Sequence, residues 1–248
     1  MSATVIIPTT GMPEVRNAID SVLNQTYEDT VCYLVCDGEQ YYNKVKAIVE
    51  EYNTKHIHKS LDKLKVCYLP VNVGANGFYG HRVYAAFTHL INTEYVLYLD
   101  QDNWLDKDHV KECVYQIEEN NLDWSFSLRK IVDKDGNYLC NDDCESLGKW
   151  PMFQGVVHTG TYHIDTNCYC VKTEVATKLC QVWHGGWGQD RVFYTAMTRH
   201  FTNFDCTGKY TVNYRLAGNE GSVRKEFFEF GNEQMKKQYN GVYPWRKI

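Results

Sequence analysis

The sequence predicts an α/β fold, a mostly parallel sheet flanked by helices and followed by a smaller mixed lobe. Three observations carry that expectation. Four apolar runs, at 4–7, 31–36, 66–69 and 95–99, alternate with stretches of helical periodicity through the first half of the chain. The later runs are continuous rather than alternating, as strands covered on both faces read. The runs also stop sharply, at Pro8, at the turn Asp37-Gly38 and at Asp100.

The elements follow in order. Residues 4–7 are a β-branched run ended by Pro8, and Pro13 opens a helix with Val15, Ile19, Val22 and Leu23 as its apolar positions. The second strand is Val31-Cys32-Tyr33-Leu34-Val35-Cys36, and the helix over 42–52 turns Val45, Ile48 and Val49 inward. A third strand at 66–69 precedes a helix over 77–91, and the fourth, 95–99, runs into Asp100 with a helix expected near Asp106. Ligands of such sheets bind beyond the carboxyl ends of the strands, so the residues just past each strand are the informative ones.

The second half is less regular. Residues 124–131 and 138–140 flank Asp135-Gly136 as a hairpin would. Strands are expected at 161–164 and 169–171, a helix over 173–182, and a further helix at Gln189 after the turn Gly185-Gly186-Trp187-Gly188. No internal repeat or low-complexity linker interrupts the chain, so 1–248 reads as one domain with halves 1–103 and 104–215 and a tail 216–248. From Arg224 onward there are six basic and three acidic residues among Phe227, Phe228, Phe230, Tyr239, Tyr243 and Trp245. That stretch suits an amphipathic helix packed on the core; contact with a membrane, a glycan or a partner domain is the other reading.

Composition narrows the function. With 31 acidic against 26 basic residues the net charge is −5, which lacks the basic field of a general nucleic-acid binder but tolerates a local pocket for one diphosphate. No run of 18 apolar residues is present, and Met1-Ser2-Ala3-Thr4-Val5 leads straight into a strand without a signal-peptide pattern. The ten cysteines lie inside apolar runs with no C-x-x-C pair, as free core thiols of a reducing compartment would. A soluble, cytoplasmic protein is expected, with peripheral membrane contact left open.

Four places carry candidate chemistry. Asp100-Gln101-Asp102 leaves the fourth strand with two carboxylates, hard ligands suited to a divalent cation that bridges phosphates; an acidic turn capping the next helix uses the same residues. Asp37 is placed to accept hydrogen bonds from a base or ribose, and Asp-Gly is equally ordinary turn chemistry. The segment from Asn72 through Gly74 to Arg82 offers small residues and backbone N–H groups to a phosphate, although its spacing is not G-x-G-x-x-G. Finally, Trp187 can stack on a sugar beside Asp190, a possible base for an acceptor hydroxyl that would also suit a helix dipole.

In this order and spacing the pieces resemble the family 2 glycosyltransferases. The match runs through Val5-Ile6-Ile7-Pro8-Thr9, Ala18-Ile19-Asp20-Ser21-Val22-Leu23-Asn24-Gln25-Thr26-Tyr27, Val35-Cys36-Asp37-Gly38, Asn72-Val73-Gly74, Leu99-Asp100-Gln101-Asp102 and Gly188-Gln189-Asp190. The resemblance implies a GT-A fold with a Rossmann-like nucleotide-binding sheet, a UDP-sugar or related donor, a glycan or glycoconjugate acceptor, and inversion. It assigns nucleotide-sugar contacts to Thr9, Asp37, Asn72, Gly74, Arg82, Asp100 and Gln101. It gives Mn²⁺ or Mg²⁺ to Asp102 with Asp100, and the catalytic base to Asp190. Departures are Cys36 and Gln189, where the family often has acidic residues, and a run at 216–222 without the family's frequent histidine. The alternatives are a sugar-1-phosphate nucleotidyltransferase and a glycan-binding module without turnover. Against the first stands Pro8-Thr9-Thr10-Gly11-Met12-Pro13, which lacks the basic loop such enzymes need.

Overall fold

The parallel half of the sheet forms where the sequence is most continuously apolar. The structure, a computed structural model, describes residues 1–55, 61–153, 160–216 and 223–246. Strands β1 (Ala3–Thr9), β2 (Thr30–Asp37), β3 (Leu64–Leu69) and β4 (Tyr95–Tyr98) run parallel in the order β3-β2-β1-β4. Every residue of β1 and β4 is buried, as central strands covered on both faces are. The connecting helices are α1 (Val15–Leu23), α2 (Tyr42–Lys55) and α3 (His81–Phe87). On α1 the buried set Val15, Ala18, Ile19 and Val22 is the stripe of an amphipathic helix.

Beyond β4 the sheet changes direction. β8 (Tyr169–Lys172) pairs antiparallel with both β4 and β6 (Trp124–Val132). β9 (Phe204–Arg215) then runs parallel to β6, and β5 (Trp104–Leu105) closes the order antiparallel to β9. The expected hairpin is present, with β7 (Tyr138–Asn141) on the far part of β6. Because β8 and β5 run against their neighbours, their amino ends lie on the edge where the parallel strands end. Residues from both halves of the chain therefore converge there. The remaining helices are α4 (His109–Glu119), α5 (Thr173–Leu179), α6 (Gln189–His200) and α7 (Lys225–Gln238).

Several expectations need correction. No strand forms at 161–164; the segment is held by isolated bonds, Met152 N–H to Thr161 O (2.8 Å) and Gly148 N–H to His163 O (2.9 Å). Its neighbour contains Pro151, which has no N–H for a ladder. The helix expected from 77 starts at His81, because Asn76, Gly77 and Tyr79 adopt positive φ (61°, 83° and 52°) that an α-helix excludes. The helix expected near Asp106 opens at His109, and the one over 173–182 tightens to a 3₁₀ turn at Cys180–His184. β9 and the two-residue β5 had no apolar run to announce them.

The tail packs on the core. α7 buries Phe228, Gly231 and Met235, and the Trp245 indole N–H donates to Asp143 Oδ1 at 2.8 Å. No described helix is long and apolar enough to cross a membrane, and all ten cysteines are free.

Candidate active site

A cleft of about 650 Å³ opens along the converging edge, and its walls include Thr9, Asp37, Asn72, Gly74, Asp100, Gln101, Asp102, Trp187 and Asp190. Its floor is tied together by strand-end side chains. Thr9 Oγ1 donates to Gln101 Oε1 at 2.8 Å, and the Thr10 N–H donates to the same oxygen at 3.0 Å. Gln101 thus couples the end of β1 to the end of β4. Asp37 does something similar for β2 and β3: its Oδ1 accepts from Val73 N–H (2.7 Å) and its Oδ2 from Gly74 N–H (2.9 Å). Burial raises its pKa, and those two N–H groups oppose the rise. Gly74 has no space for a side chain, since a Cβ there would lie 2.0 Å from Tyr79 O and 2.6 Å from Asp37 Oδ2.

The two carboxylates of the acidic triplet differ. Asp100 is already engaged: Oδ1 accepts from the Tyr84 hydroxyl (2.8 Å) and Oδ2 from Asn167 Nδ2 (3.0 Å), while its N–H donates to Asn167 Oδ1 (2.7 Å). Asn167 is fixed in turn by Asp165, whose Oδ1 accepts from both the Asn167 N–H (3.0 Å) and its Nδ2 (2.7 Å). Asp165 Oδ2 accepts from Arg129, a buried guanidinium that also pairs with Asp142 and Glu145. The Asp102 carboxylate makes no hydrogen bond to another described residue. Its carboxyl is pushed up to about 6, first by burial and then by the charge of Asp100. Arg215, at the end of β9, donates from Nε to Asp102 O at 2.9 Å, and its NH2 is buried without a partner among the described residues.

Asp190 enters from the opposite wall, in the first turn of α6. Gly188 precedes that helix at φ 77°, a left-handed turn that glycine adopts without strain. Asp190 Oδ1 accepts from the Arg191 N–H at 2.8 Å, and Oδ2 lies 3.5 Å from Nε2 of His163. Trp187 stands at the mouth, 79% exposed, with the Arg191 guanidinium 5.8 Å from its ring. Arg82 is not part of the cleft wall. Its guanidinium lies over the Phe78 ring at 3.3 Å, and the cleft's guanidiniums are Arg129, Arg191 and Arg215.

Arg129, His163, Asp165, Asn167 and Arg215 were not legible as site residues from periodicity. Asp165-Thr166-Asn167 did carry one signal, an Asp whose side chain accepts from the N–H two residues on, directly before an apolar strand. The run at 217–222 lies outside the described residues.

Among the described residues no cluster of three His, Cys, Asp or Glu forms a cage for a divalent cation. Mg²⁺ is commonly held by one or two carboxylates plus substrate phosphates, and Asp102, whose side chain bonds no other described residue, fits that arrangement. Asp100 fits it less well, because both of its oxygens already accept hydrogen bonds.

Known proteins fall in line with this architecture. TarS residues 1–349 from S. aureus share the fold with a TM-score of 0.63 at 17% identity, covering 97% of this chain and 72% of that one. The same protein in complex with UDP-GlcNAc gives 0.65 at 18% identity, over 98% and 67% of the two chains. An uncharacterized protein of Haemophilus influenzae is 31% identical over 103 residues, 34% of this chain and 69% of its own length. The family model described as glycosyl transferase family 2 matches residues 4–165, which span β1 through the Asp165 turn that braces Asp100. The chain is a GT-A glycosyltransferase and belongs to glycosyl transferase family 2.

Proposed function

We propose that the protein transfers a glycosyl group with inversion from a nucleotide-diphosphate sugar, with a UDP-sugar as the first candidate, to an acceptor hydroxyl. One observation carries the reading: Asp102 and Asp190, from opposite halves of the chain, face a single cleft floored by the strand-end residues. The UDP and UDP-GlcNAc complexes of TarS, which shares the fold, support the choice of donor.

The chain's own residues divide the work. The loop held by Asp37, with Gly74 allowing close approach, and the Thr9–Gln101 bridge receive the nucleotide. Trp187 offers an aromatic face to the acceptor or sugar at the mouth. Asp190 accepts the proton of the acceptor hydroxyl as that oxygen attacks the anomeric carbon from the face opposite the leaving group. Arg215, with an unpartnered NH2 beside Asp102, takes up charge developing on the departing diphosphate. Asp102 would hold the Mn²⁺ or Mg²⁺, which supplies Lewis-acid neutralisation of that charge.

The test is Asp190→Asn, which keeps the shape and removes the proton acceptor. UDP release from UDP-GlcNAc, measured with Mn²⁺ and a panel of simple glycosides, is expected to fall about 10²–10⁴-fold. UDP affinity should stay within twofold or so. A normal rate on folded variant would remove Asp190 as the base.

A further inference from the structure

The cleft holds a buried histidine that the mechanism above does not use. His163 is 4% exposed, and its Nε2 lies 3.5 Å from Oδ2 of Asp190. Its other nitrogen, Nδ1, is buried and has no hydrogen-bond partner among the described residues. The backbone on either side is pinned: the Gly148 N–H donates to His163 O at 2.9 Å, and the Asp165 N–H donates to Ser146 Oγ at 2.8 Å. Asp165 itself is locked to Arg129. The ring therefore stands on a fixed segment and, among the described residues, faces the carboxylate of Asp190.

The tautomer follows from what each nitrogen can reach. A proton on Nδ1 would bury a donor with nothing to receive it, and orphaned buried N–H groups are rare. A proton on Nε2 aims at Asp190, and leaves Nδ1 as an unpaired acceptor, the lesser cost. Asp190 then has the Arg191 N–H bonded to Oδ1 and the imidazole Nε2 facing Oδ2 at 3.5 Å. Asp190 itself lines the cleft. Without the imidazole the side chain would keep only its local bond to the next residue and could swing with the helix end.

We propose that His163 is the positioning residue of the Asp190 base, donating from Nε2 to hold the carboxylate in the orientation that meets the acceptor hydroxyl. This rests on the reading of Asp190 as base. It assigns to the irregular segment around His163 a role in chemistry rather than in packing alone.

The experiment contrasts His163→Gln with His163→Asn, since a Gln amide N–H reaches the place of Nε2 and an Asn amide only that of Nδ1. With UDP-GlcNAc as donor probe, Mn²⁺ and the same glycosides, the Gln variant should keep kcat within about threefold. The Asn variant should lose about 10- to 10²-fold in kcat, the scale of a misplaced catalytic group, with donor KM unchanged. In an Asp190→Asn background the His163→Asn change should cost no further rate. Equal losses in both variants would overturn the proposal, as would a loss confined to donor KM or one that adds in full to that of Asp190→Asn. Should His163→Asn fail to fold, His163→Leu gives the same comparison. The base reading fails separately: if Asp190→Asn alone leaves kcat intact, both ideas fall, whereas a slow Asp190→Asn with a normal His163→Asn rejects only the positioning role.

Discussion

Asp102→Asn should make the protein more stable and less able to bind its donor. The free carboxyl titrates at about 6 against an ordinary 3.8, because burial and the charge of Asp100 disfavour its ionised form. A folded-state value above the unfolded one means that the native state holds its proton longer. Stability is thus lost as pH rises from about 4 to about 6 and stays lost above that window. That gap corresponds to roughly 3 kcal/mol, at about 1.4 kcal/mol per tenfold change in proton affinity. Solvent reaching this partly exposed side chain screens some of it, so about 1–3 kcal/mol, or about 2–10 °C in melting temperature for a chain of this size, is expected. Asn has the same shape and no charge to desolvate. Melting curves at pH 4 and pH 8 are the assay: the variant should match wild type at pH 4 and melt higher at pH 8. Adding UDP with Mn²⁺ at pH 8 should raise wild type but not the variant, since ligand stabilises only the state that binds it. No difference at pH 8, or an equal difference at both values, would refute the electrostatic argument.

Other consequences concern the walls of the cleft. Gly74→Ala forces a Cβ to within 2.0 Å of Tyr79 O, so the loop must move and UDP affinity by calorimetry should fall at least about tenfold, or 1.4 kcal/mol. Arg129→Met strands Asp142, Glu145 and Asp165 without their shared cation and should cost at least about 3–5 kcal/mol at neutral pH, with partial recovery on acidification in chemical denaturation. Trp187→Ala, at a site 79% exposed, should leave the melting point within a degree or two while raising acceptor KM about threefold to tenfold, as expected for one lost aromatic face.

The half of the fold that was legible in the sequence is the half where burial alone decides structure. β1 and β4 are buried along their whole length, and their centres, Val5-Ile6-Ile7 and Tyr95-Val96-Leu97-Tyr98, are continuous apolar runs that read as interior. β9 is different. It carries Asp205, Thr207, Gly208, Lys209 and Asn213 along twelve residues, and several of these meet polar or charged partners: Asn213 bonds Asp106, Lys209 pairs with Glu112 of α4, and Asp205 pairs with Lys149. A strand of that composition has no periodic signal. The helix expected over 77–91 erred for a local reason: left-handed residues at Asn76, Gly77 and Tyr79 carry no hydrophobic signature.

The candidate site divides along the same line. Asp37, Asp100, Asp102 and Asp190 follow strands or open helices, and chain order alone marked them. Asn167 and His163 come from irregular backbone, and only the antiparallel insertion of β8 beside β4 brings the turn ahead of β8 against Asp100. Their partners lie 67 and 27 residues away in sequence, a separation that no local pattern records.

The charges gathered by that insertion bear on metal dependence. The cleft is lined by the carboxylates of Asp37, Asp100, Asp102, Glu145, Asp165 and Asp190, against the guanidiniums of Arg129, Arg191 and Arg215. Arg129 shares its single charge among Asp142, Glu145 and Asp165, so it offsets none of the other four carboxylates, which face Arg191 and Arg215. Of the four, Asp100 and Asp37 have their oxygens turned to internal donors, and Asp190 is held at the far wall. A diphosphate entering beside Asp102 would therefore meet an unfavourable field that one arginine, Arg215, offsets only in part. On the proposed reading a divalent cation at Asp102 reverses the sign of that field where the phosphates lie, which would make donor affinity depend on metal far more than nucleoside affinity does. Calorimetry with UDP and with uridine, each with and without Mn²⁺, separates the two: metal should strengthen UDP binding by at least about tenfold and leave uridine unchanged, and equal effects on both ligands would contradict the charge argument.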